Sequence, residues 1–175
     1  MIRVYDTAKR EKVALESIEP GKLGIYVCGP TVYDQSHVGH ARVYVAFDTI
    51  VRFLRRSGLD VTYVRNITDI DDKIIARAAE LGEEPLGLSG RFSAAFHEDM
   101  RLLGNIAPDV EPKVSDHLPE IITLIEKLVE NGHAYAVESD VYFEVGSLPS
   151  YGELSGRNLD DLRSGARVKV DERKR

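Results

Sequence analysis

Leu23 to Cys28 and Val61 to Val64 are two short apolar runs separated by one long helical stripe. Gly29-Pro30 closes the first run and Gly58 closes the stripe. Strand, helix and strand within about forty residues read as a βαβ unit, since parallel strands need a crossover of a dozen or more residues. That crossover is right-handed, and both strands then end on the same edge of the sheet. Cys28 is thereby expected to face the turn Asn66-Ile67-Thr68. The expected fold class is a three-layer α/β unit with a parallel sheet, followed after Pro112 by a helix–hairpin appendage.

The run Tyr26 to Arg42 carries the chemistry: Tyr-Val-Cys-Gly-Pro-Thr-Val-Tyr-Asp-Gln-Ser-His-Val-Gly-His-Ala-Arg. A strand that ends in a glycine turn and feeds a helix exposes free backbone N–H groups and the positive end of the helix dipole. That is a ready anion site. His37 and His40 are three apart and share a helix face, with Cβ atoms roughly 5–6 Å apart. Gly39 between them leaves the backbone uncovered, so that a bulky ligand can lie flat on it. Cys28 sits at the carboxyl end of its strand, where open α/β sheets hold their ligands. Singly, a cysteine is more often a small buried hydrophobe, and a helical histidine pair more often a surface or capping feature. Joined at one strand-to-helix turn, Cys28, His37 and His40 point to a phosphate held by two imidazoles with a thiolate nearby.

The remainder reads as scaffold. Met1 to Ile18 forms two short extended segments that cover a sheet edge. The helix opened by His37 and His40 continues with Val43, Phe47, Ile50, Val51 and Leu54 as its core-facing stripe. Asp69, Asp71 and Asp72 fall at the start of a helix from Ile70 to Leu81, where acids cap and suit the dipole. A Mg²⁺ site there would need convergent oxygens, not merely neighbouring ones. Gly82 ends that helix, Glu83-Glu84-Pro85 is a loop, and a third helix runs from Ser89 to Leu103 with Phe92, Phe96 and Met100 on one face. Ala107 to Pro112 is the expected domain boundary. A helix from Pro119 to Asn131 is expected to bury Ile121, Ile122, Ile125, Leu128 and Val129. A hairpin follows at 134–144, then a short helix at 159–163 and a strand at 166–170. His97, His117 and His133 lack metal-ligand spacing and read as surface or packing residues.

Composition narrows the function. With 43% hydrophobic and 30% charged residues the chain is of globular type. A net charge of −6 is the wrong sign for an autonomous nucleic-acid binder. No apolar run approaches the ~20 residues of a membrane span, and the first residues lack the apolar core of a signal peptide. One cysteine cannot form an internal disulfide, which fits a reducing, cytoplasmic setting.

His37-Val38-Gly39-His40 resembles the HIGH signature of class I aminoacyl-tRNA synthetases. With Cys28-Gly-Pro-Thr-Val-Tyr-Asp34 ahead of it and Asn66-Ile-Thr-Asp-Ile-Asp-Asp72 behind it, the chain is similar to the cysteinyl-tRNA synthetase family. The resemblance covers essentially the whole chain, but only the first third to two-fifths of such an enzyme. It implies a Rossmann-like parallel sheet, with residues 1–112 as the N-terminal half of the catalytic domain and 113–175 as the start of a connective insertion. It also implies ATP-dependent activation of cysteine to cysteinyl-adenylate and transfer to tRNA-Cys, with His37 and His40 as the catalytic residues at the phosphates. Gly29, Thr31 and Gly39 would bind nucleotide and adenylate, with Asn66 and Thr68 on the opposite wall. Mg²⁺ would arrive with ATP. Cys28 would be one ligand of a Zn²⁺ that binds the substrate thiolate, for which a serine hydroxyl is a poor substitute. Regions outside these residues would bind the tRNA, and the whole protein is expected to be a monomer with no membrane association.

The family's other zinc ligands, its lysine-bearing KMSKS loop and its tRNA-binding helical domains have no counterpart in these residues. Val43 stands where a threonine is common in the family. The expectation is therefore a fragment, inactive alone, and the bare charged end Asp171-Glu-Arg-Lys-Arg175 favours it. Two alternatives stay open: a non-catalytic short paralogue serving as a nucleotide-binding or regulatory module, and the cysteine ligase of mycothiol synthesis. Arg42 and Val32-Tyr33-Asp34 look more like the synthetase.

Overall fold

The computed structural model describes residues 1–156. Its elements are β1 (Arg3–Asp6), β2 (Glu11–Ala14), β3 (Lys22–Val27), α1 (Val38–Arg56), β4 (Asp60–Arg65), α2 (Asp72–Leu81), α3 (Pro85–Leu102), α4 (Leu118–Glu130), β5 (Ala134–Val137) and β6 (Asp140–Phe143). Two compact units result: Ser17–Leu118, and separately Met1–Glu16 with the residues from Pro119 onward. The helix and strand read at 159–163 and 166–170 lie outside the described residues.

In the larger unit β3 and β4 pair in parallel, in register from Lys22↔Asp60 to Val27↔Arg65, as the βαβ spacing requires. Gly58, at φ 90°, follows α1 in a conformation that a residue with a Cβ rarely adopts. The other edge of β4 is also covered. Val110 and Lys113 bridge Val64 and Ile67 in parallel, with the Arg65 N–H on the Val110 carbonyl at 3.1 Å and the Ile67 N–H on the Pro112 carbonyl at 2.9 Å. The Pro-bounded run 107–112 is thus laid along the sheet, on an outer position that tolerates proline's missing N–H. The compact division falls after it, between Leu118 and Pro119.

The buried side of α1 is Tyr44, Val51 and Leu54. Val43 and Ile50, which the apolar spacing predicts to face inward, are 43% and 44% exposed. Tyr44 takes the inner place because its hydroxyl finds a partner there, donating to the Cys28 carbonyl at 3.2 Å. α2 begins at Asp72, two residues later than its pattern suggests, with Asp71 as N-cap accepting the Lys73 N–H at 2.8 Å. Asp69 is not a cap. It is 7% exposed and binds the N–H and hydroxyl of Ser115. α3 starts at Pro85, not at Ser89, because a proline in the first turn gives up no helical hydrogen bond.

In the smaller unit β1 and β2 form an antiparallel hairpin, a two-stranded sheet of its own and not part of the parallel one. β5 and β6 form the expected second hairpin, from Ala134↔Phe143 to Val137↔Asp140. α4 departs from its pattern. None of its residues is buried, and Ile121, Ile122, Ile125 and Val129 are all exposed. Its apolar stripe is real, but no layer covers it among the described residues. His133 packs with its Nδ1 2.9 Å from the Ser147 hydroxyl. Among the described residues no helix is long and apolar enough to cross a membrane.

Candidate active site

His37 is the N-cap of α1, and the two imidazoles close the helix end reciprocally. His37 Nδ1 accepts the Gly39 N–H at 3.0 Å, and His40 Nδ1 accepts the His37 N–H at 3.1 Å. The ring centroids are 4.0 Å apart. A neutral imidazole has one donor and one acceptor nitrogen. With Nδ1 accepting in both rings, each proton resides on Nε2. The pair therefore offers two Nε2–H donors beside the helix's own free N–H groups. Burial, and after it the repulsion that a second protonated ring at His37 would add, hold His40 below its ordinary value of 6.5, so at neutral pH it is an uncharged donor.

A Cβ on Gly39 would lie 2.7 Å from His37 Cε1 and 2.9 Å from His37 Nδ1. The room that glycine alone suggests for a ligand is taken by the His37 ring, and the cap closes only because no side chain stands there.

A pH dependence follows. Protonating His40 fills Nδ1 and removes the acceptor of the His37 N–H. Because the folded value lies below the unfolded one, the unfolded chain takes up the proton first. Stability is unaffected above about 6.5 and falls as pH drops from there toward the lowered value. In an NMR titration the His40 ring is expected to titrate below 6.5, with faster His37 amide exchange over the same interval. Titration at or above the ordinary value would contradict this arrangement.

The strand ends meet as the topology requires. The Gly29 N–H donates to Asn66 Oδ1 at 2.7 Å, and Asn66 Nδ2 donates to the Thr68 hydroxyl at 3.3 Å. Thr31 and Thr68 form a parallel bridge, with the Thr68 N–H on the Pro30 carbonyl at 3.0 Å and the Val32 N–H on the Thr68 carbonyl at 3.2 Å. A Cβ on Gly29 would fall 1.4 Å from the Asn66 carbonyl oxygen, so only glycine permits this approach.

Thr31, His37 and His40 line one cavity of about 300 Å³, together with Tyr33, Asp34, Gln35 and Lys73. Gly29, Gly39, Asn66 and Thr68 are not in its lining. They hold its walls: Gly29, Asn66 and Thr68 through the strand crossing, Gly39 through the cap. Cys28 is an exposed free thiol just past β3. Among the described residues no group of three His, Cys, Asp or Glu side chains is placed to hold a metal. One sulfur falls short of the three or four protein ligands of a zinc site, so these residues do not make one by themselves.

Sequence reasoning does not single out Arg65, Glu111 or Lys73. Arg65 is 2% exposed, pairs with Glu111 at 2.6 Å, and lies 4.8 Å from the Phe96 ring centroid and 5.3 Å from that of Tyr44. Glu111 also meets His97 Nε2 at 2.6 Å, which gives His97 its packing role. The network clamps Tyr44, and burial pushes the Tyr44 phenol up to about 12, so it remains the protonated donor to the Cys28 carbonyl. Only the alternation of β4 hints at Arg65, since Glu111 is 46 residues away. Lys73 does carry a signal: it is a cation in the first turn of a helix, against the dipole.

A sequence model of the family described as tRNA synthetases class I (C) catalytic domain matches residues 14–175. A cysteine–tRNA ligase of Anaeromyxobacter sp. (strain K) is 61% identical over 175 residues, covering 99% of this chain and 36% of the relative. The chloroplastic/mitochondrial cysteine–tRNA ligase of Arabidopsis thaliana is 54% identical over 172 residues, 98% of this chain and 31% of that protein. The chain thus spans about a third of the length of these relatives. Among solved structures, a Mycobacterium tuberculosis methionyl-tRNA synthetase in complex with methionyl-adenylate superposes with a TM-score of 0.56 at 28% identity, covering 64% of this chain and 23% of that one. A LeuRS of Agrobacterium radiobacter K84 shares the fold, with a TM-score of 0.59 at 20% identity over 75% of this chain and 16% of its own. With its parallel βαβ unit and histidine-capped crossover helix, the chain belongs to the class I (C) tRNA synthetase catalytic-domain family.

Proposed function

We propose that these residues are the first part of the catalytic domain of a cysteine–tRNA ligase, which activates cysteine with ATP and transfers it to tRNA-Cys. The observation that carries this reading is the histidine pair. Both Nδ1 atoms are committed to the α1 N-terminus, which leaves both Nε2–H groups as donors at the cavity that the rings line. In the activation step a carboxylate oxygen of cysteine forms a bond to the α-phosphorus of ATP, and the bond to the bridging oxygen of the leaving pyrophosphate breaks. Negative charge builds on the phosphate oxygens. Fixed neutral donors stabilise that charge without having to reorient. Thr31 adds a hydroxyl to the same cavity, while Gly29, Asn66 and Thr68 keep the two strand ends together beside it.

Mg²⁺ accompanies ATP as its counter-ion. For Cys28 the proposed role is one thiolate of a zinc site completed by residues of the longer protein. The supporting features are its exposure and its place beyond β3. Residues 1–112 are proposed as the N-terminal half of the catalytic domain and 113–175 as the start of an insertion. The longer protein is proposed to be a cytoplasmic monomer that binds tRNA outside these residues. The regulatory and mycothiol alternatives gain no observation of their own.

The test is ATP–pyrophosphate exchange with and without cysteine, followed by charging of tRNA-Cys. The full-length protein is expected to show cysteine-dependent exchange and charging. The 175-residue chain is expected to show neither, and after dialysis to carry far less than one zinc per chain. Failure of the full-length protein to exchange with cysteine overturns the ligase reading, and exchange without tRNA charging favours a different acceptor.

A further inference from the structure

Two neutral imidazoles and a threonine hydroxyl can orient a triphosphate, but they bring no positive charge to it. Of the seven residues that line the cavity, Lys73 alone is a lysine or arginine. We propose that Lys73 is a further phosphate-binding residue, its ammonium contacting phosphate oxygens of the nucleotide whose phosphates His37 and His40 hold. This rests on the reading of the cavity as a phosphate site and adds the cation which that reading lacks.

Three observations support it. The first is position. Lys73 is the second residue of α2, directly after Asp72, in a turn whose capping side chain is Asp71. A cation there opposes the helix dipole and loses a few tenths of a kcal/mol that an acid or neutral residue would keep. A local preference broken at a cavity wall is a mark of function and not of folding. The second is its restraint. The ammonium stands 5.6 Å from the Tyr33 ring centroid, held by an aromatic face that also lines the cavity. No carboxylate of the described residues lies within ion-pair distance of it. Its charge is oriented but not neutralised. The third is its neighbour Asp34, whose Oδ1 is taken up by the Gln35 N–H at 2.8 Å. The one carboxylate of the cavity makes no ion pair with Lys73.

The experiment measures binding of inorganic tripolyphosphate to the full-length protein by calorimetry, at two salt concentrations, together with KM for ATP and kcat in pyrophosphate exchange. Lys73→Met keeps the long apolar stem and removes the charge, Lys73→Arg keeps a charge, and His40→Asn probes the imidazole site. Lys73→Met is expected to weaken tripolyphosphate binding and raise KM for ATP about tenfold, as for one lost charge-assisted contact. Its binding should also depend less on salt. Lys73→Arg should recover most of the affinity, and the melting temperature should not move, since the side chain is exposed. If His40→Asn weakens tripolyphosphate binding and Lys73→Met does not, the Lys73 proposal is wrong while the phosphate site stands. If neither variant changes it, the phosphate reading of the cavity fails with it. A Lys73→Met defect confined to KM for cysteine overturns the proposal as well.

Discussion

Replacing His40 with asparagine in the full-length protein is expected to lower the rate of adenylate formation about 100-fold, the usual effect of deleting one preorganised donor to a developing oxyanion. Asparagine is the informative choice because it separates two jobs that one ring performs. Its short amide can still offer an acceptor where Nδ1 takes the His37 N–H at 3.1 Å, so the helix start is preserved. It cannot reach to where Nε2 carries its proton. The loss should therefore appear mainly in kcat, with a smaller rise in KM for ATP and the melting temperature nearly unchanged, because the donor contacts the phosphates throughout but matters most where charge builds. Wild-type exchange in this variant would mean that the backbone N–H groups of α1 suffice and that the histidines are caps alone.

Gly29→Ala is expected to give the largest stability loss of any single methyl added to the larger unit, about 3 kcal/mol, at the upper end of overpacking effects. The new Cβ would stand 1.4 Å from the Asn66 carbonyl oxygen. That atom is backbone, and the chain on its far side is itself held to β4 and Pro112, so neither strand can step aside alone. Separating them also breaks the bond from the Gly29 N–H to Asn66 Oδ1, worth about 1 kcal/mol. Gly24→Ala, inside β3 and five residues earlier, is the control, since an added Cβ there meets nothing within 4 Å. Urea midpoints measured on the two variants should differ clearly. A Gly29→Ala cost below about 1 kcal/mol would show that the two chain segments yield to the added methyl.

The parallel pair was readable from sequence because everything that fixes it is local: two apolar runs, one crossover of the right length and Gly58 as a stop. The histidine pair was readable from its spacing. What Gly39 does was not, since that depends on which way the His37 ring turns, and ring orientation leaves no trace in a pattern. Asp69 and Asp71 look alike as first-turn acids, yet one caps α2 and the other reaches Ser115. Only the placement of residue 115 distinguishes them. α4 shows the opposite failure. Its stripe was read correctly, but periodicity states that a face is apolar and not that anything lies against it. Arg65 and Glu111 are invisible in sequence for a third reason: their worth to the fold arises from a meeting across 46 positions, and neither is unusual alone.

The hydrogen bonds from Arg65 and Ile67 to Val110 and Pro112 have a mechanical consequence. Those two donors bracket Asn66, the residue pressed against Gly29. Tension applied to the chain near Leu118 is borne first by the Ser115–Asp69 contacts and next by those two bonds. The load then arrives within one peptide of Asn66, and it reaches α3 and α1 through the Glu111–His97 and Asp109–Arg55 pairs of the same segment. Pulled from that end, the segment 110–115 would peel from the outer edge of β4 while β3 and β4 stayed paired.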